Sequence, residues 1–353
     1  MHFKKKGVII SIMEHLETTE IEKGLCSVCC LGYKHKDYIA DCFKSILNQE
    51  YKNIEIIAMD DGSGDGSEEQ LEKLSQKYPE KIKILHQKNT GKIGYNINRL
   101  IKEAKGEFIL TVAFDDMITQ DCISSKIYQM LEDKNIQFIT NSSVLNIKNG
   151  NTEVVEYPLG NIKNPSAKDL LKLDFENLHS YYIQGTLFRK SIIEEAGYFD
   201  EDMLADDIVL RTKIAKVLEK NPDYKFLVLK TPGLFYRTHN SNISGDTFRQ
   251  LKSVTQWLDK YYKDTKNPSY LYEWYKHFVR NYKLSQILQT VKIKRLRPYL
   301  KNKEILQILT TRLLKNIFLI TNKYENNKKY KHIIILGTTI DISIKEKKHA
   351  IRV

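Results

Sequence analysis

The stretch Ile54-Glu55-Ile56-Ile57-Ala58-Met59-Asp60-Asp61-Gly62-Ser63 sets an apolar run against two carboxylates and a glycine. It predicts a buried strand, Ile54–Met59, that stops at an acidic turn. Working upstream, Tyr38–Leu47 places Ile39, Phe43, Ile46 and Leu47 on one helical face, and Leu25–Leu31 reads as a strand. Downstream, Gln70–Tyr78 is a helix and Ile82–His86 a strand. Asn96–Ala104 is a helix closed by Gly106, and Phe108–Val112 is a strand running into Phe114-Asp115-Asp116. Strands alternating with helices imply βαβ units, a mostly parallel sheet, and sites at the carboxyl ends of its strands. Both acidic pairs fall at such ends.

Beyond 121 the pattern loosens. A helix is expected at Ile123–Leu131, then strand-like Gln137–Leu145 and Asn151–Tyr157, with helical signals at 166–173, 191–196 and 206–219. After Asp246 the chain turns rich in tyrosine and lysine and reads as mainly helical to about 320, broken at Pro298. His332–Leu336 and Ile340–Ile344 around Gly337 read as a small hairpin.

The 353 residues are 41% apolar and 28% charged, which fits a folded rather than a disordered chain. No run of 18 apolar residues occurs, so a membrane-spanning helix is not expected. Lysines and a few apolar residues open the chain, but Glu14 and Glu17 interrupt too early for a signal peptide. A soluble, cytoplasmic protein is the expectation. The formal charge of +12 is unevenly placed: residues 281–353 carry 17 Lys/Arg against 4 Asp/Glu, and residues 1–280 are nearly neutral. That is a neutral body with a basic appendage. Such an appendage attracts polyanions or is a solvated lysine-rich face.

Cys26, Cys29, Cys30, Cys42 and Cys122 form no disulfide framework in a chain of this kind. Cys26-x-x-Cys29-Cys30 lacks a second pair at zinc-ligand spacing, and its apolar setting reads as a buried strand with cysteine as a small hydrophobe.

Four constellations carry chemistry. Asp60-Asp61-Gly62-Ser63-Gly64-Asp65-Gly66-Ser67 is either an acidic turn or an acceptor for base and ribose groups. It has no phosphate-wrapping G-x-x-x-x-G-K-[ST] pattern. Asp115-Asp116 suits a hard divalent cation, or is a solvated turn. Asp206-Asp207 opens a helix, where it either complements the macrodipole or supplies a general base. Tyr236-Arg237-Thr238-His239 holds a histidine that is structural or a further metal ligand.

Order and spacing add what the separate motifs lack. The series Ser27, Tyr33, Ser45-Ile-Leu-Asn-Gln49, Tyr51-Lys-Asn-Ile-Glu-Ile-Ile57, Asp60-Asp61-Gly-Ser63, Asn89-Thr-Gly91, Ala104-Lys-Gly106-Glu-Phe-Ile109 and Asp115-Asp116 is continuous over residues 24–117. It resumes at Gly197-Tyr-Phe-Asp-Glu201, Asp206-Asp207 and Tyr236-Arg-x-His239. This resembles the GT-A nucleotide-sugar domain of glycosyltransferase family 2, in its inverting, bacterial surface-glycan form.

The resemblance implies a GT-A (Rossmann-like) α/β fold with a mixed, mostly parallel sheet and flanking helices, plus a mainly helical basic C-terminal region. It implies an N-terminal extension at 1–23 and a catalytic domain at 24–246, split into a nucleotide-binding half (24–117) and an acceptor half (118–246). The basic region is 247–353. It implies a UDP-sugar donor, a Mn²⁺ or Mg²⁺ cofactor, and a saccharide or lipid-linked glycan acceptor in capsule or lipopolysaccharide synthesis. Tyr33 looks like the residue flanking the base and Asp61 the acceptor of its N–H, with Asp60, Gly62, Ser63, Asn89, Gly91, Lys92 and Phe114 completing the nucleotide set. Asp115, His239 and Asp116 look like the metal residues, and Asp207 the base beside Asp206.

Three departures stand out. The D-x-D of the family is Ala113-Phe114-Asp115 here, lacking its first carboxylate, so metal affinity without nucleotide is expected to be weak. The family's E-D pair is Asp206-Asp207. The segment Gly91–Asn98 carries one extra residue. A nucleotide-sugar-binding protein with an impaired site is therefore the alternative function.

In the tail, Ile305, Leu309, Leu313, Ile317 and Ile320 fall at near-helical spacing among Lys303, Arg312 and Lys315. This basic amphipathic helix either lies on an anionic membrane, making the protein peripheral on the cytoplasmic face of the inner membrane, or packs on the catalytic domain or a second copy of the chain. Nucleic acid is the remote alternative: no zinc-finger spacing, aromatic RNA-binding signature or basic heptad supports it.

Overall fold

The computed structural model describes residues 22–204, 207–325, 328–335 and 338–343, with side chains described up to 314. The N-terminal extension lies almost wholly outside the described residues, as does Asp206. The chain divides into two compact units between Lys263 and Asp264.

The first unit begins β1 (Glu22–Gly32), α1 (Ile39–Leu47), β2 (Ile54–Asp60), α2 (Ser67–Lys77), β3 (Ile82–Leu85), α3 (Ile93–Glu103) and β4 (Gly106–Ala113). It continues β5 (Met117–Ile118), α4 (Ser124–Glu132), β6 (Ile136–Asn141), β7 (Ser143–Lys148), β8 (Asn151–Glu156), α5 (Ala167–Asn177), β9 (Leu187–Arg189) and α6 (Lys190–Glu195). It closes with α7 (Asp207–Lys220), β10 (Lys225–Leu229), β11 (Leu234–Thr238) and α8 (Thr247–Tyr261). The seven-stranded sheet runs β10-β6-β9-β4-β1-β2-β3. Only β9 is antiparallel to its neighbours. This is the expected mixed, mostly parallel α/β sheet.

Parallel sheets are covered on both faces, so their strands read as continuous apolar runs. On β1, Cys26, Val28 and Cys30 face one core with Ile39, Phe43 and Ile46 of α1. Cys29 faces the other core with Leu100 and Ile101 of α3. All five cysteines are buried and free, and Cys26, Cys29 and Cys30 lie on β1, as the strand reading expects.

Two expectations change here. Gln137–Leu145 is not one strand: the chain leaves the large sheet at Ser142, whose N–H donates to the Leu229 carbonyl at 2.8 Å, and continues as β7 in a second sheet. That sheet runs β5-β11-β7-β8. Second, α8 belongs to the first unit, so the division read after Asp246 falls one helix early. Trp257 explains this: it is fully buried and its Nε1–H donates to Thr212 Oγ1 on α7 at 2.9 Å.

The second unit holds α9 (Ser269–Asn281), α10 (Leu284–Thr290), a 3₁₀ segment Lys294–Lys301 containing Pro298, and α11 (Lys303–Ile317). An antiparallel sheet follows, β12 (Phe318–Glu325), β13 (Lys328–Ile335) and β14 (Thr338–Ser343). The expected hairpin is the β13–β14 pair, with Ile333 opposite Ile340. The helix expected to reach 320 stops at 317, because Ile317-Phe-Leu-Ile-Thr321 is a β-branched and aromatic run that suits a strand. Ile320 thus leaves the expected stripe. Of the rest, Ile305 is buried, Leu309 half-buried and Leu313 exposed.

Candidate active site

Parallel pairing brings three strand ends to one edge. Gly32 of β1 stands opposite Asp60 of β2, and Leu31 opposite Ala113 of β4. Each following residue extends the ladder: Asp61 N–H donates to Gly32 O at 2.9 Å, and Phe114 N–H to Leu31 O at 3.1 Å. Both acidic pairs therefore open onto the carboxyl edge, where α/β sheets bind ligands.

The β2 loop is held by its own carboxylates. Asp60 accepts from the Ser63 N–H at 2.7 Å and from the Ser63 hydroxyl, and that hydroxyl in turn accepts from the Lys34 N–H at 2.6 Å. Burial pushes the Asp60 carboxyl up, against the Ser63 hydrogen bonds. Asp61 anchors the 87–91 loop: it accepts from Gln87 Nε2 at 2.6 Å, Thr90 N–H at 2.9 Å and Gly91 N–H at 2.9 Å. Asn89 Nδ2 donates back to the Asp61 carbonyl at 2.8 Å. Gly62 is required between them, since its φ is +65° and a Cβ would meet the Asn89 nitrogen at 2.4 Å. Lys92 is exposed at the start of α3, its N–H donating to Thr90 Oγ1 at 3.1 Å. Tyr33 is 43% exposed at the rim, with the Lys34 ammonium 5.3 Å from its ring centre.

Phe114 is a correction. It was expected against the nucleotide, but it is fully buried and packs on Phe43, ring centres 5.9 Å apart. It fills the space left by Gly32, where a Cβ would lie 2.0 Å from the Phe114 ring.

Asp115 faces two histidines. His239 Nε2 lies 3.1 Å from Asp115 Oδ2, and His35 Nδ1 lies 3.5 Å from Asp115 Oδ1. One ligand atom from each of the three residues falls within 4.8 Å of the others. His35 Nδ1 and Asp115 Oδ1 are buried and make no hydrogen bond. Two buried polar atoms without hydrogen bonds, close to a second imidazole, fit a divalent cation. Burial holds His35 below the ordinary histidine range, which favours the neutral, ligating imidazole.

Asp116 points elsewhere. It is buried and accepts the Arg237 backbone N–H at 2.8 Å. Burial, and then its neighbour Asp115, push its carboxyl well above the usual range. β11 pairs with β5 through Phe235–Met117 and Leu234–Ile118, so the second sheet carries His239 to the edge. The Arg237 guanidinium caps the Tyr38 ring at 4.6 Å, and that ring stacks on His239 at 5.0 Å.

Residues 27–197 match the family model described as glycosyl transferase family 2. Residues 27–197 form a glycosyltransferase family 2 domain. The glycosyltransferase GlyG of Streptococcus pneumoniae serotype 4 is 36% identical over 115 residues, covering 33% of this chain and 38% of that protein. The poly-beta-1,6-N-acetyl-D-glucosamine synthase of Staphylococcus aureus strain MSSA476 is 27% identical over 187 residues, covering 52% of this chain and 43% of that protein. The chain thus matches about two fifths of the length of each of these curated relatives. Among solved structures, S. aureus TarS 1–349 in complex with UDP-GlcNAc superposes with a TM-score of 0.53 at 14% identity. It covers 91% of this chain and 99% of that one, a likeness of fold.

Beyond the matched segment, Asp207 opens α7, as its sequence implied. One turn on, Arg211 is buried against Asp174, its Nε donating to both carboxylate oxygens at 3.0 and 3.1 Å. Its other nitrogens donate to the Leu178 and Tyr181 carbonyls, so the first turn of α7 is fixed to α5 and the loop after it. Tyr182 forms an aromatic row with Tyr157 and Tyr236, at 5.9 and 5.3 Å between ring centres. Both Tyr157 and Tyr182 lie within electrostatic reach of Asp116 and of Asp207.

The sequence missed His35. Its one signal was position, in the loop leaving β1 on the edge that carries both acidic pairs. It also missed Asn98, which exchanges hydrogen bonds with the Phe199 backbone at 2.9 Å in each direction and docks the Gly197–Glu201 segment.

Proposed function

We propose that this family 2 glycosyltransferase moves a hexosyl or N-acetylhexosaminyl group from a UDP-sugar to a hydroxyl of a saccharide or lipid-linked glycan, with inversion, in bacterial surface-polysaccharide synthesis. The observation that carries the reading is the meeting of Asp115 and His239, 124 residues apart, on the edge that also holds the Asp60–Ser63 loop. In this reading the nucleoside end lies along Tyr33, Asp60, Asp61, Gly62, Ser63, Asn89, Gly91 and Lys92. Asp115 and His239 hold a Mn²⁺ or Mg²⁺ ion, with Asp116 fixing the strand that delivers His239. When bound, the cation supplies Lewis acidity to the departing diphosphate. Asp207 accepts the proton of the incoming hydroxyl from the opposite side, and α7 holds it in place through Arg211. A single carboxylate base with no enzyme nucleophile gives one displacement, hence inversion.

The donor choice is supported by the relatives, which include synthases of poly-N-acetylglucosamine, and UDP-GlcNAc is the first donor to test. UDP release from a panel of UDP-sugars, measured with and without Mn²⁺, should be metal-dependent for at least one donor. UDP binding without release from any donor would instead favour the impaired, nucleotide-sugar-binding alternative.

The second unit supports a peripheral membrane role. Leu288, Leu306, Leu313 and Leu314 are exposed, on helices of a region whose net charge is +13 over 281–353. Among the described residues, no helix is long and apolar enough to cross a membrane. Cosedimentation with anionic vesicles should fall steeply with salt, and salt-insensitive binding would count against the electrostatic part.

A further inference from the structure

The sequence lacks the first carboxylate of the family's D-x-D, and the structure shows what stands near the gap. Ala113, which replaces it, pairs with Leu31 of β1. The loop leaving β1 carries His35 to within 3.5 Å of Asp115. We infer that His35 is a third protein ligand, completing with Asp115 and His239 a two-imidazole, one-carboxylate site that binds a first-row transition ion before any nucleotide arrives.

Three observations support it. The three ligand atoms lie within 4.8 Å of one another, a span one cation can bridge. The facing atoms of His35 and Asp115 are buried without hydrogen bonds, so the folded chain leaves them uncompensated. The second imidazole is already oriented: His239 Nδ1 is hydrogen-bonded to Ser241 Oγ at 2.8 Å, leaving Nε2 toward Asp115, and Tyr38 stacks on the ring.

The donor set also fixes a preference. Affinity of a mixed nitrogen and oxygen site rises along the first row from Mn²⁺ to Co²⁺, whereas Mg²⁺ takes oxygen ligands and dehydrates reluctantly. Three protein donors leave positions open for water or diphosphate oxygens. Only the occupant of those positions rests on the transfer reading; cation capture does not.

The test is calorimetric titration of the full chain with MnCl₂, CoCl₂ and MgCl₂ separately, without nucleotide. One equivalent of Mn²⁺ or Co²⁺ should bind, Co²⁺ more tightly, with Mg²⁺ at least tenfold weaker than Mn²⁺. His35→Ala should weaken Mn²⁺ binding tenfold or more and change the visible absorption spectrum of bound Co²⁺. If His35→Ala does not fold by circular dichroism, His35→Gln gives the same readout. Mn²⁺ affinity unchanged in the folded variant, or Mg²⁺ bound as tightly as Mn²⁺ by the unaltered chain, overturns the inference. Loss of Mn²⁺ binding in the variant, with a parent chain inert toward every nucleotide-sugar, keeps this site and removes the transfer reading. Normal turnover with Mn²⁺ affinity unmoved does the reverse.

Discussion

The buried carboxylate of Asp116 accepts the backbone N–H of Arg237 at 2.8 Å, across 121 residues of chain. Two residues beyond Arg237 lies His239. The second residue of the acidic pair therefore positions the strand that brings the histidine to the first.

Asp116→Ala should leave that N–H without its partner. The cost of an unmade bond to a half-buried donor is about 1–3 kcal/mol. Urea denaturation should show a loss of that order, and Mn²⁺ affinity should fall although Asp115 and His239 are untouched. Asp116→Asn, which keeps an acceptor oxygen, should recover most of both.

Asp207→Asn should cut turnover by roughly two to four orders of magnitude, the usual worth of a general base. On the proposed reading UDP affinity should hold, since the Asp60–Ser63 and 87–91 loops lie elsewhere. Single-turnover kinetics on the donor that releases UDP checks this; unchanged turnover removes Asp207 from the mechanism.

Arg211 and Asp174 form a buried ion pair whose remaining donors are spent on backbone carbonyls. Removing one partner strands the other charge. Asp174→Ala should destabilise the chain by about 3–5 kcal/mol. Because Asp207 sits one turn before Arg211, the variant should also lose activity at temperatures where it remains folded. A denaturation midpoint within error of the parent would contradict this account.

Asp200 predicts a pH window. Burial alone would raise its carboxyl, but hydrogen bonds from Lys260, Tyr261 and Lys213 outweigh it and hold it at about 2, against an ordinary 3.8. A depressed carboxyl stabilises the folded state above its unfolded value, and that contribution is lost as pH falls through the folded one. The difference is worth ~2 kcal/mol at neutral pH. Asp200→Asn should therefore cost about that much at pH 7 and progressively less between about pH 4 and 2. An equal cost at both ends of the range would mean the ion pairs to α7 and α8 contribute nothing.

The strand ends were readable because hydrophobic runs stop abruptly at Asp60 and Asp115, and parallel pairing then forces both onto one edge. Ligands contributed from far along the chain were less readable. His239 stood open between a structural and a ligating role until the resemblance favoured the second. His35 offered only its position after β1, because a histidine in a polar loop carries no periodic signal. Phe114 was misjudged for a local reason: in the turn just past β4 its ring packs into the core, where Gly32 makes room. The break at Ser142 was hidden because two strands in different sheets read as one apolar run. β9, only three residues long, gives too little pattern to detect.

The reciprocal bonds between Asn98 and the Phe199 backbone have a practical consequence. The helix after the 87–91 loop and the Gly197–Glu201 turn are fastened by one amide that no aliphatic side chain can imitate. Grafting a different segment after β4 onto this scaffold would succeed only if the splice kept that amide and its turn together. The natural unit of exchange is therefore the joined pair, although its parts lie a hundred residues apart.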